Sequence, residues 1–329
     1  MSELFTYKPD LIIYHGGCFD GLAGAWCFYN ILGSNDKKFY PGKHGEKISD
    51  DLVTEKNILF IDFSYRKTDT EHLLTIAKSL TVLDHHKTAE DLLLITDSKL
   101  TVYLDMTRSG AQLAWDYVSS YLNKETNMLQ DIKTIKSSNG IIPYTKRPYF
   151  IDDIGDRDLW TWNVPNSKES CAAMYHMQLN KSLNTFNAIQ YIPRELLLST
   201  GFILVQQNRQ QIDMICKKAV DCKYIGEDKK EFKVRVCMTD IHVSEVGNQL
   251  VTNNPCDFAA ICRYNLSSDE WWISLRASDN NDIDLSEVCR VHFKTGGGHK
   301  KASGITLKGA DVLKQTFIPL SKEESFTVK

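Results

Sequence analysis

The sequence predicts an α/β protein in which a largely parallel N-terminal sheet, flanked by helices, is linked by a helix to a smaller α/β C-terminal part. Short aliphatic runs typical of buried strands recur early in the chain, and most are followed by a stretch with helical periodicity. A long helical stretch then precedes a second series of strand-like runs. The 329 residues suffice for two domains, which we place at residues 1–185 and 225–329, with a helical linker at residues 186–224.

The composition is that of a globular protein with little net charge. Apolar residues make up 42% of the chain, and 39 basic against 42 acidic side chains give a net charge of −3. This charge does not favour long duplex DNA or an anionic membrane, so a nucleic-acid substrate would have to be held locally. The chain has no apolar run of membrane-spanning length, no signal pattern and no CxxC pair among its nine cysteines. We therefore expect a reduced, cytoplasmic protein.

The first strand-like run ends in a glycine-containing turn. Residues 11–14 have the pattern of a buried strand, the turn covers residues 15–21, and a helical pattern covers residues 22–32. An open α/β sheet places ligands at strand ends of this kind. Taken alone, the turn is better explained by glycines that shape it and by Asp20 as a helix cap. The alternative is that three of its side chains share a site: His15, Cys18 and Asp20.

Two further strand-like runs also end in polar residues. Residues 57–61 are followed by Asp62, and residues 81–83 are followed by a carboxylate and two imidazoles, Asp84, His85 and His86. A single Asp at a strand end is usually a turn or cap residue, but several such groups are costly to bury without partners. Because parallel strands end at one edge of their sheet, we expect the three strand ends to build one site.

A fourth strand-like run is followed by residues that are better explained by local structure. Ser109 is predicted to cap a helix over residues 110–121. Asp105 and Arg108 just before it are predicted to pair locally, with substrate contact as the weaker alternative. The polar, lysine-rich stretch that follows is interpreted as an exposed insertion over residues 123–147.

Residues 150–160 carry four carboxylates within seven positions: Asp152, Asp153, Asp156 and Asp158. Like charges this close repel, so a divalent cation or Arg157 would have to compensate them unless they form a surface salt-bridge cluster. The apolar residues among them favour partial burial. This segment is therefore a second candidate source of metal ligands.

The C-terminal part contains three consecutive glycines followed by basic residues, at residues 295–304. Before it we predict a long helix over residues 202–222 and three strands, over residues 232–238, 257–264 and 271–276. The glycines let the backbone approach an anion, and the histidine and lysines that follow add donors and positive charge. A flexible linker is the alternative explanation.

Together these motifs resemble the DHH phosphoesterase superfamily. Asp84-His85-His86 is similar to the triplet that names it, residues 15–21 to its first motif, Asp62 to its second and residues 156–160 to its fourth. Residues 296–304 resemble the glycine-histidine motif of the DHH-associated domain. The resemblance implies a catalytic domain over residues 1–185, a substrate-binding domain over residues 225–329, and hydrolysis of phosphoester or phosphoanhydride bonds.

The resemblance also implies a role for each site residue. Two divalent ions, usually Mn²⁺, would activate a water and bind phosphate oxygens. Asp62 would bridge them, with His15 on one ion and three ligands on the other: Asp20, His85 and Asp156. In the catalytic triplet, Asp84 would orient the site and His86 would be a neighbouring ligand or phosphate contact. The substrate would be held by Arg276, Gly297, Gly298 and His299.

The sequence leaves the identity of two metal ligands open. Asp156 is preferred over Asp153 and Asp158 because its spacing to Trp160 resembles the family's spacing between Asp and an aromatic residue. In the first motif, many relatives have Asp-x-Asp where this sequence has Cys18-Phe19-Asp20. Either Cys18 replaces a carboxylate ligand, which would shift the preference from Mn²⁺ towards Zn²⁺ or Fe²⁺, or it only packs beside the site.

The leading hypothesis is a metal-dependent phosphodiesterase that acts on short oligonucleotides or small nucleotides, similar to the nano-RNase members of the superfamily. A polyphosphate or pyrophosphate hydrolase is an alternative that shares the metal chemistry, although such pyrophosphatases usually have a different C-terminal domain. A catalytically weak, nucleotide-binding regulatory protein is a third hypothesis, which Cys18 motivates. We expect no long duplex DNA and no membrane as partners, and a homodimer is left open.

Overall fold

The computed structural model describes residues 9–32, 38–122, 147–294 and 296–326. The chain divides into two compact units, Met1–Val205 and Gln206–Lys329. The predicted insertion at residues 123–147 lies outside the described residues except for Arg147. The domain boundaries given by the sequence, with a linker at residues 186–224, stay a prediction.

The first unit is built on a five-stranded parallel sheet. Its strands are β1 (Leu11–His15), β2 (Phe39–Gly42), β3 (Asn57–Ile61), β4 (Ser79–Asp84) and β5 (Leu100–Leu104). Their order in the sheet is β2-β1-β3-β4-β5. The helices are α1 (Phe19–Leu32), α2 (Asp50–Val53), α3 (Lys67–Ile76), α4 (Gly110–Leu122), α5 (Tyr149–Asp158), α6 (Ser167–His176) and α7 (Leu183–Asn187). Helix α8 (Arg194–Cys216) begins in this unit and ends in the second.

Strand residues of the first sheet alternate between two hydrophobic cores. On β3, Leu59 and Ile61 belong to the core that contains side chains of α1 and α4, whereas Ile58 and Phe60 belong to the core that contains side chains of α3. This period of two is the geometry of a strand, and helices cover both faces. Polar side chains can therefore gather only where the strands end.

The second unit is built on a seven-stranded mixed sheet. Its strands are β6 (Val220–Ile225), β7 (Glu231–Met238), β8 (Phe258–Asn265), β9 (Glu270–Arg276), β10 (Gly297–Gly298), β11 (Ala302–Lys308) and β12 (Ile318–Pro319). Their order is β10-β11-β9-β8-β7-β6-β12, and β7 pairs in parallel with β8 while the other pairs are antiparallel. The helices are α9 (Val243–Asn253), α10 (Leu285–Val288) and α11 (Val312–Thr316).

This architecture confirms the predicted α/β class with its parallel N-terminal sheet. The helix predicted over residues 202–222 is wrong at its C-terminal end, because α8 ends at Cys216 and β6 begins at Val220. Cys222 and Tyr224 point into the core of the second unit with strand periodicity, and this burial outweighs the local helical pattern. Within the described ranges, no helix is both long enough and apolar enough to cross a membrane.

Candidate metal centre

Three neighbouring strands, β1, β3 and β4, deliver polar side chains to one edge of the first sheet. In their register Tyr14 pairs with Ile61, and Ile61 pairs with Leu83. The residues that follow these positions therefore lie side by side at the carboxyl edge, and they are the predicted strand-end residues: His15, Asp62, Asp84, His85 and His86.

Asp62 lies at the centre of this cluster. Its backbone φ is +55°, in the left-handed region that residues other than glycine rarely adopt. Oδ1 is hydrogen-bonded to His85 Nε2 at 2.9 Å, and Oδ2 lies 3.3 Å from His15 Nδ1. Burial alone would raise the pKa of this carboxyl, but the two imidazoles outweigh burial and hold the pKa well below its ordinary value. Asp62 is therefore an ionised carboxylate approached from two sides.

Asp20 and Asp158 approach the same His85 imidazole. His85 Nε2 lies 3.8 Å from Asp20 Oδ2 and 3.4 Å from Asp158 Oδ2. Asp20 Oδ1 accepts a hydrogen bond of 3.1 Å from the backbone N–H of Ala111, in the first turn of α4, where N–H groups have no partner within the helix. Burial, with Asp62 and Asp158, raises the pKa of Asp20 well above its ordinary value. Burial lowers the pKa of His85, but the carboxylates outweigh it and raise that pKa to about 10.

Both oxygens of Asp84 accept hydrogen bonds from the chain itself. Oδ1 accepts from the backbone N–H groups of His85 and His86 at 2.8 and 3.1 Å and is 2.7 Å from His86 Nδ1. Oδ2 accepts from Ser64 Oγ at 2.7 Å. Burial opposes ionisation, but His86 and His85 outweigh it and lower the pKa of Asp84 to about 2. These contacts hold the two histidines in place, which is the arrangement that the predicted orienting role requires.

Asp158, and not Asp156, lies at the cluster. The oxygens of Asp156 accept four hydrogen bonds of 2.5–3.2 Å from the loop after α5 and the first residue of α6, donated by Thr161 Oγ1, Asn163 N, Val164 N and Ser167 Oγ. These bonds outweigh burial and lower the pKa of Asp156. The prediction of Asp156 as the fourth-motif ligand is therefore corrected, because its carboxylate closes this loop instead of facing His85.

The other two carboxylates of this segment are paired with arginines. Asp153 accepts hydrogen bonds from Arg194 Nη2 at 2.7 Å and Nε at 3.0 Å. Asp152 accepts one from Arg147 Nη1 at 3.1 Å. The repulsion that the sequence predicts among the four carboxylates is thus relieved at separate places and not by one shared cation.

Gly110, the first residue of α4, is a site residue that the sequence analysis missed. A Cβ at this position would lie 2.4 Å from Asp62 Cβ and 2.9 Å from Asp20 Oδ2. The preceding Ser109 caps the helix as predicted, because its Oγ accepts a hydrogen bond of 3.3 Å from Gln112 N. Most other residues would stabilise the start of a helix better than glycine does. A glycine at the first helical position is therefore a weak signal that another part of the backbone approaches closely.

His44, in the segment after β2, was also missed. Its ring centre lies 5.1 Å from that of His15 and 6.3 Å from that of His86. The side chain is exposed, and it packs 4.9 Å from the ring of Phe63. In the sequence it is an isolated histidine in a polar stretch, which gives no signal for a site.

The residues of the cluster fit a divalent metal. In the part of the chain that the structure describes, three buried polar atoms of the cluster make no close hydrogen bond: Asp20 Oδ2, and His15 Nδ1 and Asp62 Oδ2, which form an ion pair at 3.3 Å. A buried carboxylate oxygen without a hydrogen bond, such as Asp20 Oδ2, costs roughly 1–3 kcal/mol. Within the first unit, three groups have ligand atoms within 4.8 Å of one another, namely His15-Cys18-Asp62, Asp20-Asp62-His85 and Asp62-Asp84-His86. Carboxylate and imidazole donors suit divalent transition metals, and Asp62 belongs to all three groups.

The glycine-rich segment of the second unit is a tight hairpin and not a flexible linker. Gly297 and Gly298 form β10, which pairs with β11. Gly296 has a φ of +77°, and a Cβ there would lie 1.7 Å from the carbonyl oxygen of Gly304. His299 N donates to Ala302 O at 2.8 Å across the turn. The contact of Gly297, Gly298 and His299 with substrate stays a prediction.

Arg276 lies beside this hairpin, at the end of β9, where it pairs with Ala302 of β11. Its Nη2 donates to Ser244 Oγ at 2.9 Å. Gly247 of α9 lets the helix approach, since a Cβ there would lie 2.7 Å from Arg276 Cγ. The structure therefore brings Arg276 and the glycine-histidine turn together at one edge of the second sheet.

The chain matches no protein-family model. An uncharacterised protein of Acanthamoeba polyphaga mimivirus is 28% identical over 319 residues. The match covers 92% of this chain and 68% of the relative. This similarity assigns no activity.

Several solved structures resemble the chain at low sequence identity. RecJ of Thermus thermophilus, crystallised with Mn²⁺, is 12% identical with a TM-score of 0.47, and the match covers 93% of this chain and 50% of RecJ. The pGpG-specific phosphodiesterase PggH of Vibrio cholerae is 11% identical with a TM-score of 0.31, covering 94% and 96%. Cdc45 of Entamoeba histolytica is 8% identical with a TM-score of 0.41, covering 95% of each chain. The chain spans half the length of RecJ, and values this low establish no activity for it.

Proposed function

We propose that this chain is a metal-dependent phosphoesterase of the DHH superfamily that hydrolyses phosphodiester bonds in short oligonucleotides or small nucleotides. Asp62 carries this proposal: one buried carboxylate, with its backbone in the left-handed region, belongs to three groups of ligand atoms at the carboxyl edge of a parallel sheet. The five ordered sequence motifs support it independently of this geometry.

The cluster would hold two divalent cations, with Mn²⁺ as the first candidate. Asp62 would be shared, with His15 on one side and three ligands on the other: Asp20, His85 and Asp158. When bound, such ions lower the pKa of a coordinated water and supply positive charge to phosphate oxygens. The chain contributes the placement of these ligands, and Asp84 contributes by fixing His85 and His86.

A short anionic substrate fits the charge of the chain. With a net charge of −3, the protein lacks the overall positive charge that holds long nucleic acids. Arg276 and His299 would instead contact one phosphate, since a guanidinium can form two parallel hydrogen bonds with it. Long duplex DNA and membranes are therefore not proposed as partners, and a cytoplasmic location and a homodimer stay expectations from the sequence.

In the presence of Mn²⁺, the full chain should hydrolyse at least one member of a panel of dinucleotides, cyclic dinucleotides and phosphoadenosine phosphate. Asp62→Asn should lower kcat/KM by roughly 10³-fold, because several kcal/mol of charge stabilisation would be lost. Asp10→Asn is the matched control: Asp10 precedes β1 at the opposite edge of the same sheet, where it accepts a hydrogen bond from Asn57 N at 2.9 Å. Product release would be followed by chromatography.

The same panel separates the alternatives. Turnover of pyrophosphate or polyphosphate alone would favour the phosphoanhydride hydrolase. Metal-dependent nucleotide binding without turnover would favour a regulatory protein. Absence of any hydrolysis by protein whose metal content has been verified would contradict the proposed activity.

Mn²⁺ should stabilise the protein against unfolding. A bound ion would relieve the repulsion among Asp20, Asp62 and Asp158 and would satisfy the buried oxygens that lack hydrogen bonds. At 100 times the Kd, the gain in unfolding free energy would be about 2.7 kcal/mol. Calorimetry with and without EDTA would measure the change in Tm. Asp62→Asn should lose this shift and Asp10→Asn should keep it, whereas an equal shift in both variants would place the ion elsewhere.

A further inference from the structure

Cys18 presents its thiol to one side of the cluster. Its Sγ belongs to the group with His15 and Asp62 whose ligand atoms lie within 4.8 Å of one another. The turn that carries it packs closely against β2, because a Cβ on Gly16 would lie 2.9 Å from Pro41 Cβ. The backbone therefore places the thiol beside His15 and Asp62.

The other cysteines have a different environment. Seven of them donate from Sγ to a backbone carbonyl oxygen: Cys27, Cys171, Cys216, Cys237, Cys256, Cys262 and Cys289. Cys222 is buried in the core of the second unit. Among the residues that the structure describes, Cys18 is thus the cysteine that shares a group of ligand atoms with a carboxylate and an imidazole.

A second observation at the same place points to a ligand. Asp62 is 1% exposed, and its Oδ2 lies 3.3 Å from His15 Nδ1, an ion pair whose long contact leaves both atoms without a close hydrogen bond in the described ranges. A buried carboxylate and an imidazole that contact each other only at this distance, with a thiol beside them, form the donor set of a cation site.

We propose that His15, Cys18 and Asp62 bind a thiophilic divalent cation such as Zn²⁺, Fe²⁺ or Co²⁺, with the Cys18 thiolate as a direct ligand. This inference rests on the proposed function, because Asp62 is shared with the oxygen- and nitrogen-rich position formed by Asp20, His85 and Asp158. The protein would then hold two positions of different metal preference, since a thiolate selects softer ions than carboxylates do.

Binding changes no oxidation state. Coordination forms the bond between sulfur and the cation and breaks the S–H bond, and the proton leaves to solvent. Asp62 and His15 supply the remaining donors, and their atoms without hydrogen bonds gain partners.

Titration of the metal-free full chain with Co²⁺ tests the assignment by absorption spectroscopy and not by turnover. We expect an intense near-ultraviolet charge-transfer band from thiolate to cobalt in the wild type. The band should be lost in Cys18→Ser and in Cys18→Ala, and kept in Cys216→Ser, which removes another partly buried thiol. Circular dichroism shows whether each variant is folded, and the two substitutions at position 18 guard against one that does not fold.

Cys18→Asp supplies a second readout, because it replaces the soft donor with a hard one. The ratio of Zn²⁺ affinity to Mn²⁺ affinity, measured by competition with a chelator, should fall by about 10–100-fold or more. Binding of Co²⁺ without a thiolate band, or an unchanged ratio in Cys18→Asp, would overturn the role of Cys18 and leave the proposed function standing. Failure of the wild type to bind Co²⁺ or Mn²⁺ at all would overturn both.

Discussion

Asp158→Asn is expected to weaken Mn²⁺ binding by about 100-fold while it leaves the unfolding free energy of the metal-free protein within about 1 kcal/mol of wild type. Asp158 Oδ2 lies 3.4 Å from His85 Nε2, next to two other carboxylates. Burial raises the pKa of Asp158 against the attraction of His85. A carboxyl with a raised pKa costs stability at neutral pH, so a neutral Asn removes that cost and offsets the lost contact with His85.

Asp156→Asn should have the opposite effects, although it lies only two residues away. Its carboxylate accepts four hydrogen bonds, and an amide has one acceptor oxygen while its NH₂ group would face donors. We expect the unfolding free energy to fall by about 2–4 kcal/mol and metal affinity to change by less than about threefold. Because the pKa of Asp156 is lowered, its stabilisation is present at neutral pH and is lost as the pH falls through that pKa.

Calorimetric titration with Mn²⁺ and urea unfolding of EDTA-treated protein measure the two effects separately. Each variant serves as the control for the other, since both remove one carboxylate from the same end of α5. Loss of metal binding in Asp156→Asn with normal binding in Asp158→Asn would instead identify Asp156 as the metal ligand.

The candidate-site residues that follow the strands were predictable from the sequence, because their positions depend on local sequence patterns. The period of two along β3 buries alternate residues on the two faces, so a polar residue such as Asp62 can only follow the strand. Parallel pairing then aligns the ends of β1, β3 and β4 without further information. The His-His pair after Asp84 lies at the same level for the same reason.

The choice between Asp156 and Asp158 depends on helix phase, which the spacing to an aromatic residue does not encode. Ile151 and Ile154 of α5 are buried in the core of the first unit, and Asp158 follows them by seven and four residues, on the same face of the helix. Asp156 is about 200° away from Asp158 around the helix axis, at 100° per residue. The apolar stripe of α5 therefore carried the signal that the motif spacing missed.

Gly110→Ala is expected to weaken Mn²⁺ binding by about 10–100-fold and to reduce turnover in parallel, although it adds one methyl group outside the ligand set. The new Cβ would lie 2.4 Å from Asp62 Cβ and 2.9 Å from Asp62 Cα. The backbone of Asp62 cannot easily shift away from this Cβ, because it already has a φ of +55° and its N–H donates to Leu83 O at 2.9 Å. Either Asp62 leaves the centre, or the start of α4 moves and the contact of Ala111 N with Asp20 is lost. Calorimetric titration and the turnover assay measure both effects.

Gly155→Ala is the matched control for this variant. A Cβ at residue 155 would also meet atoms at 2.6–2.9 Å, but they belong to the side-chain amide of Gln112, which can shift at the cost of its hydrogen bonds with Ser109 N and Asp152 Oδ1. Both substitutions replace a helical glycine with a better helix former, so intrinsic propensity favours both. Gly155→Ala should bind Mn²⁺ with wild-type affinity, and the deficit of Gly110→Ala would then come from the fixed backbone of Asp62 and not from crowding in general. Wild-type Mn²⁺ affinity in Gly110→Ala would instead mean that the carboxyl edge of the sheet shifts to accommodate the methyl group while the ligands still bind the metal.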